Sequence, residues 1–207
     1  MLNIHTIVNE YQHSCTYILY EEECDYVWLI DCGDAGEVCE WLSRNGKEVK
    51  GVFLTHCHDD HISGLRQLLK DKSDILICLS AYEGVRCVQD IRLNLSKFTA
   101  DSFQIFSDHF VELKDGQNMR IFPAIELTAI RADGHSLDSM AYIVGKWFFT
   151  GDAYIPPLDV VTKLPGADKK RAVESLEMIK ALAKKENLTV LPGHDINSKK
   201  KCITHIR

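Results

Sequence analysis

The stretch Thr-His-Cys-His-Asp-Asp-His at residues 55–61 constrains this chain more than any other part of its sequence. Apolar residues 52–54 precede it and are typical of the end of a buried strand, and residues 62–65 after it are typical of the start of a helix. Imidazole is the commonest side-chain ligand for transition metals, and carboxylate is its usual oxygen companion. Core packing requires no such cluster, so we predict a metal-binding turn.

Three later positions share one setting, because each is a His or Asp beside glycine at the end of a predicted strand. They are His135 after Gly134, Asp152 after Gly151 and His194 after Gly193. Glycine lets the backbone turn sharply and lets a ligand approach closely. Since strand ends converge on one edge of a sheet, loops from different strands can meet there.

These side chains can be divided between two ions. His56 and His58 lie two residues apart, so on extended backbone they point the same way and can bind one ion, and Asp60 continues this alternation. The predicted ligands are His56, His58 and His135 for a first metal, and Asp60, His61 and His194 for a second. Asp152, which has two oxygens, is predicted to bridge them. Each ion keeps open positions for water, as a catalytic site requires.

The length and composition are those of an ordinary globular protein. The 207 residues, 45% of them hydrophobic, predict a single domain over residues 1–207. The net charge of −6 argues against a nucleic-acid partner, because neutralising phosphates needs a basic face. No apolar run reaches the length of a membrane span, and the N-terminus does not resemble a signal peptide. We therefore expect no membrane partner, a cytoplasmic location and reduced thiols at the eight cysteines.

Strand and helix patterns alternate along the chain. Strands are predicted at residues 15–20, 26–31, 49–55, 74–79, 110–113, 119–122, 125–130, 141–144, 147–150 and 189–191. Helices are predicted at residues 37–45, 63–69, 81–95 and 168–186, with Asp168 capping the last helix and Val173 in its apolar stripe. This order indicates two sheets packed face to face with helices outside, an α+β sandwich.

Together, the motifs at 56–61, 134–136, 151–152 and 193–194 resemble those of the metallo-β-lactamase superfamily of metallohydrolases. The resemblance runs from about residue 16 to residue 194 and implies a four-layer αββα sandwich with a dinuclear site at one edge. All seven ligand positions of the dinuclear pattern are filled. Residues 29–34 look like the superfamily's first motif, which implies that Asp31 lies near the site.

Differences from individual members of the superfamily narrow the range of functions that the resemblance implies. The commoner β-lactamases place Cys where Asp152 stands, and they are exported. Glyoxalase II, a thioesterase, is the closer pattern at the ligands, but it carries a C-terminal helical domain that holds glutathione. This chain ends at Arg207, soon after His194, so we expect no accessory C-terminal domain.

The resemblance implies a dinuclear hydrolase that uses a metal-bridging hydroxide on an ester-type bond of a small molecule, such as a thioester, lactone or phosphodiester. Two divalent ions are expected, with zinc preferred and iron or manganese as alternatives. Asp60 would orient the nucleophile and accept its proton. Tyr154 would either donate a hydrogen bond to the substrate or pack beneath a loop.

Two other functions stay open on the sequence: an iron-dependent oxidation like that of the persulfide dioxygenases, with a single metal, and a non-catalytic metal-containing binding protein. Lys163 and residues 169–171 could be a solvated basic surface or a handle for an anionic substrate. Residues 98–110 could be a plain connection or the lining of a pocket. Asp133 and Asp138 could stabilise a turn or orient His135. The oligomeric state is not predicted.

Overall fold

The structure is a computed structural model that describes residues 1–196, so Cys202 and its predicted reduced state lie outside the described residues. The strands are β1 Asn3–Val8, β2 Cys15–Tyr20, β3 Tyr26–Ile30, β4 Glu48–Phe53, β5 Leu76–Ser80, β6 Phe110–Leu113, β7 Asn118–Phe122, β8 Ile125–Arg131, β9 Met140–Val144, β10 Trp147–Gly151 and β11 Thr189–Pro192. The α-helices are α1 Gly36–Asn45, α2 Asp59–Ile62, α3 Leu65–Asp71, α4 Gly84–Gln89 and α5 Lys169–Lys185, and Ser96–Phe98 forms a 3-10 helix.

The strands form two mixed sheets. The first has the order β1-β2-β3-β4-β5-β6, and the second has the order β11-β10-β9-β8-β7. In the first sheet β3, β4, β5 and β6 run parallel, β2 pairs antiparallel with β3, and β1 pairs antiparallel with β2. In the second sheet only the pair of β10 and β11 is parallel. Parallel strands end at the same edge, which is where the predicted ligands follow β4, β10 and β11.

Alternation along the strands separates the core into layers. In β3, Trp28 and Ile30 pack against the second sheet, whereas Val27 and Leu29 pack against the helices that cover the first sheet. Beyond the second sheet, Ile179 of α5 packs against the opposite face. The layers are therefore helices, sheet, sheet and helix, which confirms the predicted αββα sandwich.

Hydrogen bonds join the two sheets at the edge that carries the ligands. The amide of Met140 donates to the Thr55 carbonyl at 2.7 Å, and the amide of Cys15 donates to the Gly193 carbonyl at 2.7 Å. The Tyr142 hydroxyl donates to the Leu54 carbonyl at 2.6 Å. These bonds fix the loops of one sheet relative to the other. Within residues 1–196, no helix combines the length and apolar character needed to cross a bilayer.

Several elements differ from the sequence prediction. Strand β1 is not predicted, because it is a half-exposed edge strand in which polar residues interrupt the apolar ones. The predicted helix at 81–95 is wrong beyond Gln89, because the Asp90 carboxylate accepts hydrogen bonds from the amides of Arg92 and Leu93 and closes a turn there. Strand β6, predicted in line with the following hairpins, pairs with β5 in the first sheet.

The position of helix α5 is predicted correctly, but the face that it buries differs from the predicted face. Asp168 caps it by accepting from the amides of Lys170 and Arg171, as predicted. Val173, predicted in the apolar stripe, is 53% exposed, and Ala172 is buried instead. Close packing of the helix start against the loop at Gly134 selects this face, since a Cβ on Gly134 would lie 2.1 Å from the Ala172 nitrogen.

Candidate metal centre

The turn after β4 carries four of the seven predicted ligands. His58, with extended backbone, is the N-cap of α2, and Asp60 and His61 lie inside that four-residue helix. The predicted extended alternation is therefore wrong beyond His58, and the helix begins at Asp59 rather than at residue 63. Two carboxylates in the first turn favour this start through the helix dipole. The tight turn of the helix places Asp60 and His61 beside one another rather than on opposite sides.

The other three ligands come from the loops that follow β8, β10 and β11. His135 lies between β8 and β9, Asp152 directly follows β10, and His194 follows β11. Gly193 is required here, because a Cβ at this position would lie 2.1 Å from the Asp152 Oδ1 atom. The structure thus brings all seven predicted residues together at one edge of the sandwich.

His56, His58 and His135 form a compact group, which we call the first triad. The His135 Nε2 atom lies 3.1 Å from the His58 Nδ1 atom. The ligand nitrogens of all three rings lie within 4.8 Å of one another, and each residue is at most 2% exposed. Nitrogens on one tetrahedral zinc ion are separated by about 3.4 Å, so the spacing fits a shared ion.

Asp60, His61 and His194 form the second triad. The His61 Nε2 atom lies 3.3 Å from the His194 Nε2 atom, and the Asp60 Oδ2 atom lies 3.3 Å from His194 Nε2 and 3.6 Å from His61 Nε2. The side chain of His194 is the most open of the three, at 20% exposed. This triad combines one carboxylate with two imidazoles.

Asp152 lies between the triads. Its Oδ2 atom is 3.6 Å from His135 Nε2 and 3.3 Å from His194 Nε2, and its Oδ1 atom is 3.5 Å from His61 Nε2. One carboxylate therefore faces imidazoles of both triads. This is the position that a bridging ligand requires.

Hydrogen bonds at the opposite ring nitrogens fix three histidine tautomers. His135 Nδ1 donates to the Val161 carbonyl, and His194 Nδ1 donates to the Gln12 carbonyl, each at 3.0 Å. His61 Nδ1 donates to Asp31 Oδ2 at 2.9 Å. A carbonyl or carboxylate oxygen can only accept, so Nδ1 carries a proton in each ring and Nε2 is the ring atom that faces the centre.

Thr55 connects the two triads through Asp31. Its amide donates to Asp31 Oδ1 and its hydroxyl donates to Asp31 Oδ2, both at 2.7 Å. The same hydroxyl oxygen lies 3.1 Å from His56 Nδ1, which can donate to it. The sequence motif placed Asp31 near the site, but Thr55 and the two carbonyls were missed. A main-chain carbonyl carries no residue-type signal, so only the fold could locate those of Gln12 and Val161.

In the metal-free protein the two triads hold protons differently. Burial, together with the neighbouring imidazoles, lowers the pKa of His56 and His58 well below the ordinary value, so both are neutral near pH 7. Burial also lowers the pKa of His61 and His194, but the carboxylates of Asp60 and Asp152 outweigh it and raise both. Burial raises the pKa of Asp152, yet His194 and His61 hold that pKa well below the ordinary value.

The buried polar atoms fit bound metal ions. His56 Nε2 and Asp152 Oδ1 are buried and have no hydrogen-bond partner among the described residues. An unpartnered buried nitrogen or carboxylate oxygen costs free energy that a bound cation would recover. The donor set of imidazoles and carboxylates is the one that zinc, iron and manganese accept.

Other residues predicted near the site have separate contacts. Tyr154 packs in the cluster between the second sheet and α5, with Lys180 Nζ 5.8 Å from its ring, and its donor role stays a prediction. Asp133 accepts from Arg131 and Arg171, and Asp138 accepts from Ser136, whereas His135 is oriented by Val161. These contacts favour the turn-stabilising role of both aspartates over a role in orienting His135.

Residues 98–110 lie partly in the core and partly on the surface. Phe103 is buried against the helix side of the first sheet, while Phe98 and Phe106 are 69% and 65% exposed. Lys163 is exposed and lies two residues beyond Val161, whose carbonyl orients His135. Its role as an anion handle stays a prediction, as does pocket lining by residues 98–110.

Comparison with solved structures supports the fold. The BLEG-1 B3 metallo-β-lactamase matches with a TM-score of 0.78 and 24% identity, covering 93% of this chain and 92% of that one. TTHA1623, solved in a di-iron-bound form, matches with a TM-score of 0.77 and 23% identity, covering 92% of each chain. At these identities the likeness establishes the shared architecture.

Sequence comparison identifies the family. A β-lactamase hydrolase-like protein of Agrobacterium fabrum is 27% identical over 165 residues, which are 78% of this chain and 36% of that protein. A hydroxyacylglutathione hydrolase of Pseudoalteromonas translucida is 24% identical over 128 residues, 60% of this chain and 40% of that protein. The matched part is less than half the length of either relative. The family model of the metallo-β-lactamase superfamily matches residues 8–194, and the chain belongs to this superfamily.

Proposed function

We propose that this protein is a dinuclear metal-dependent hydrolase of a small-molecule ester-type bond. The observation that carries the proposal is the arrangement of two triads about Asp152, with the Nε2 atoms of His61, His135 and His194 directed at the centre. A single-metal site would need only one of these triads. Two bound divalent ions would supply a hydroxide nucleophile at neutral pH and polarise the ester oxygen.

The chain's own residues would contribute binding, orientation and proton transfer. The first triad would hold one ion through three neutral imidazoles, and the second triad would hold the other through Asp60, His61 and His194. Asp60, on the more open side beside His194, would also orient the attacking water and accept its proton. Asp31 and Thr55 would keep His61 and His56 aligned as the reaction proceeds.

Zinc is the proposed metal, because imidazole and carboxylate ligands with open positions are typical of catalytic zinc sites. Iron and manganese accept the same donors, and a structural neighbour of this fold was solved with two irons. The relatives named hydroxyacylglutathione hydrolase favour a thioester among the ester classes. The net charge of −6 favours a small molecule over a nucleic acid, and a cytoplasmic location is part of the proposal.

The proposal is tested by loading metal-free protein with zinc, manganese or iron and measuring hydrolysis of thioesters, lactones and phosphodiesters. The matched pair is Asp60→Asn and its neighbour Asp59→Asn, because Asp59 contributes to neither triad. We expect Asp60→Asn to reduce turnover at least about a thousandfold and Asp59→Asn to stay within about threefold of the parent. Equal loss in both variants would contradict the assignment.

Two outcomes of the same experiment would support rival functions. One iron per centre with oxygen uptake on a persulfide would indicate an oxidation instead of hydrolysis. No turnover of any ester class by the fully loaded protein would favour a metal-containing binding protein. In both cases the dinuclear hydrolase proposal fails.

A further inference from the structure

A second group of possible metal ligands lies outside the two triads. It consists of Cys57, Cys87 and Asp138, whose sulfur and carboxylate oxygen atoms all lie within 4.8 Å of one another. Cys57 comes from the turn that carries His56 and His58, Cys87 comes from α4, and Asp138 comes from the loop between β8 and β9. These residues converge from three separate parts of the sequence. We call them the sulfur cluster.

Burial makes the sulfur cluster unusual. Cys57 and Cys87 are each 1% exposed, Asp138 is 2% exposed, and both cysteines belong to the apolar core between the first sheet and its helices. A carboxylate in such surroundings costs free energy unless a partner offsets its charge. The Ser136 hydroxyl donates to Asp138 Oδ1 at 2.8 Å, and the thiol and the backbone amide of Cys57 also donate to this carboxylate, but all of these donors are neutral. A cation at the cluster would offset the carboxylate charge far better.

The separations fit tetrahedral coordination. The Cys57 thiol donates to the Leu93 carbonyl oxygen at 3.4 Å, so this oxygen lies beside the Cys57 sulfur and is the candidate for a fourth donor atom. On one tetrahedral zinc ion, two thiolates lie about 3.8 Å apart, and a thiolate and an oxygen lie about 3.6 Å apart. The three side-chain donor atoms lie within 4.8 Å of one another, so shifts of at most about 1 Å would bring each pair to this spacing.

We propose that Cys57, Cys87, Asp138 and the Leu93 carbonyl form a closed structural metal site, separate from the dinuclear centre. Two thiolates select a thiophilic ion such as zinc over magnesium or calcium. Four protein donors leave no open position for substrate, so the site is structural rather than catalytic. Binding would release the thiol protons to solvent, with no change of oxidation state.

The sulfur cluster would position the first triad. Cys57 lies between His56 and His58, so an ion on its sulfur would fix the peptide that carries both imidazoles. The same ion would attach α4 and the loop of His135 to this turn. The site does not depend on the proposed hydrolase function, because a non-catalytic member of the family could use it in the same way.

Cobalt(II) added to metal-free protein tests the proposal. The two triads contain no sulfur, so a near-ultraviolet thiolate-to-cobalt charge-transfer band can arise only from cysteine ligands. We expect the amplitude of this band to correspond to about one thiolate-bound cobalt per chain in the parent, and the band to be lost in Cys87→Ala. The matched control is Cys78→Ala, which removes another fully buried cysteine from the core between the sheets and should keep the band.

Zinc content and a second variant complete the test. Zinc per chain should fall from about three in the parent to about two in Cys87→Ala, because the two triads keep their own ligands. If Cys87→Ala does not fold, Asp138→Asn keeps both thiols and should weaken the cobalt step about a hundredfold. The proposal is overturned if no charge-transfer band forms, if the band survives Cys87→Ala, or if Asp138→Asn binds cobalt like the parent.

Discussion

The two halves of the candidate metal centre, which are the first triad and the second triad, differ in their ligands and in their exposure. The first triad consists of three imidazoles, each at most 2% exposed, and His135 is aligned by a main-chain carbonyl. The second triad includes the Asp60 carboxylate, its His194 side chain is 20% exposed, and its His61 is aligned by the buried carboxylate of Asp31. The first half thus contains only imidazoles and is closed, whereas the second half contains a carboxylate and is more open.

If the site binds two ions as proposed, this difference predicts that the two ions bind with unequal affinity. Neutral His56 and His58 present lone pairs that a metal can take without displacing a proton. His61 and His194 hold protons against Asp60 and Asp152 in the metal-free protein, so a metal there must displace protons. The carboxylates of Asp60 and Asp152 attract the second ion more strongly, but this ion competes with the protons on His61 and His194. We therefore expect the first triad to fill first.

The largest expected effect comes from removing the residue that both halves share. Asp152→Ala removes the carboxylate facing His61, His135 and His194 together, so both ions should bind more weakly and turnover should fall at least about a thousandfold. Metal content and the initial hydrolysis rate measure this. Asp159→Ala, which removes an exposed carboxylate from the same segment, is the control and should behave as the parent.

An intermediate effect should be confined to the second half. Asp31→Asn keeps the side-chain shape and tolerates the positive φ of 57° at this position, but it removes the negative charge that faces His61. We expect about 10- to 100-fold weaker binding of the second ion and little change at the first. Calorimetric titration of metal-free protein with zinc resolves the two steps, and Asp34→Asn is the exposed control. Equal weakening of both steps would mean that the halves are not independent.

Acidification should also separate the halves. The raised pKa values of His61 and His194 mean that both rings keep their extra protons up to a higher pH, and these protons oppose the second ion. Since His56 and His58 have lowered pKa values, these two imidazoles of the first triad stay neutral over the same range. Between about pH 8 and about pH 6 the second affinity should fall about tenfold more per pH unit for each additional proton displaced. Parallel slopes for both ions would contradict this distinction.

The smallest effect should appear in both halves at once. Thr55→Val removes the hydroxyl that donates to Asp31 and contacts His56, at nearly constant volume. The free energy of unfolding of the metal-free protein should fall by about 1–2 kcal/mol, and each zinc step should weaken a few fold. Chemical denaturation measures the first quantity. Thr55→Ser restores the hydroxyl and should recover most of both losses.

The same contrast explains how much of the molecule could be predicted from its sequence. The triad side chains can be predicted from the sequence because core packing rarely places His or Asp beside glycine at the ends of several strands. The structure agrees at Gly193, which allows the close approach of Asp152. The layered sheets follow from alternating apolar residues such as those of β3. These features depend on side chains and on local periodicity, which the sequence records directly.

What could not be predicted depends on the backbone and on tertiary packing. The carbonyls of Gln12 and Val161 align two histidines, yet any residue could supply them. The start of α2 at Asp59 depends on helix electrostatics that the extended alternation of His56 and His58 obscured. The sulfur cluster unites residues up to 81 positions apart, from Cys57 to Asp138, so only the folded chain shows it.

The most direct test of the dinuclear account is the number of zinc ions that the centre binds. It is counted by calorimetry in the Cys87→Ala background, so that the sulfur cluster does not contribute, and again after adding His194→Ala. We predict about two ions in separate steps, with only the weaker, more pH-dependent step lost when His194 is replaced. A single ion per chain before that replacement, or loss of both steps after it, would contradict the account.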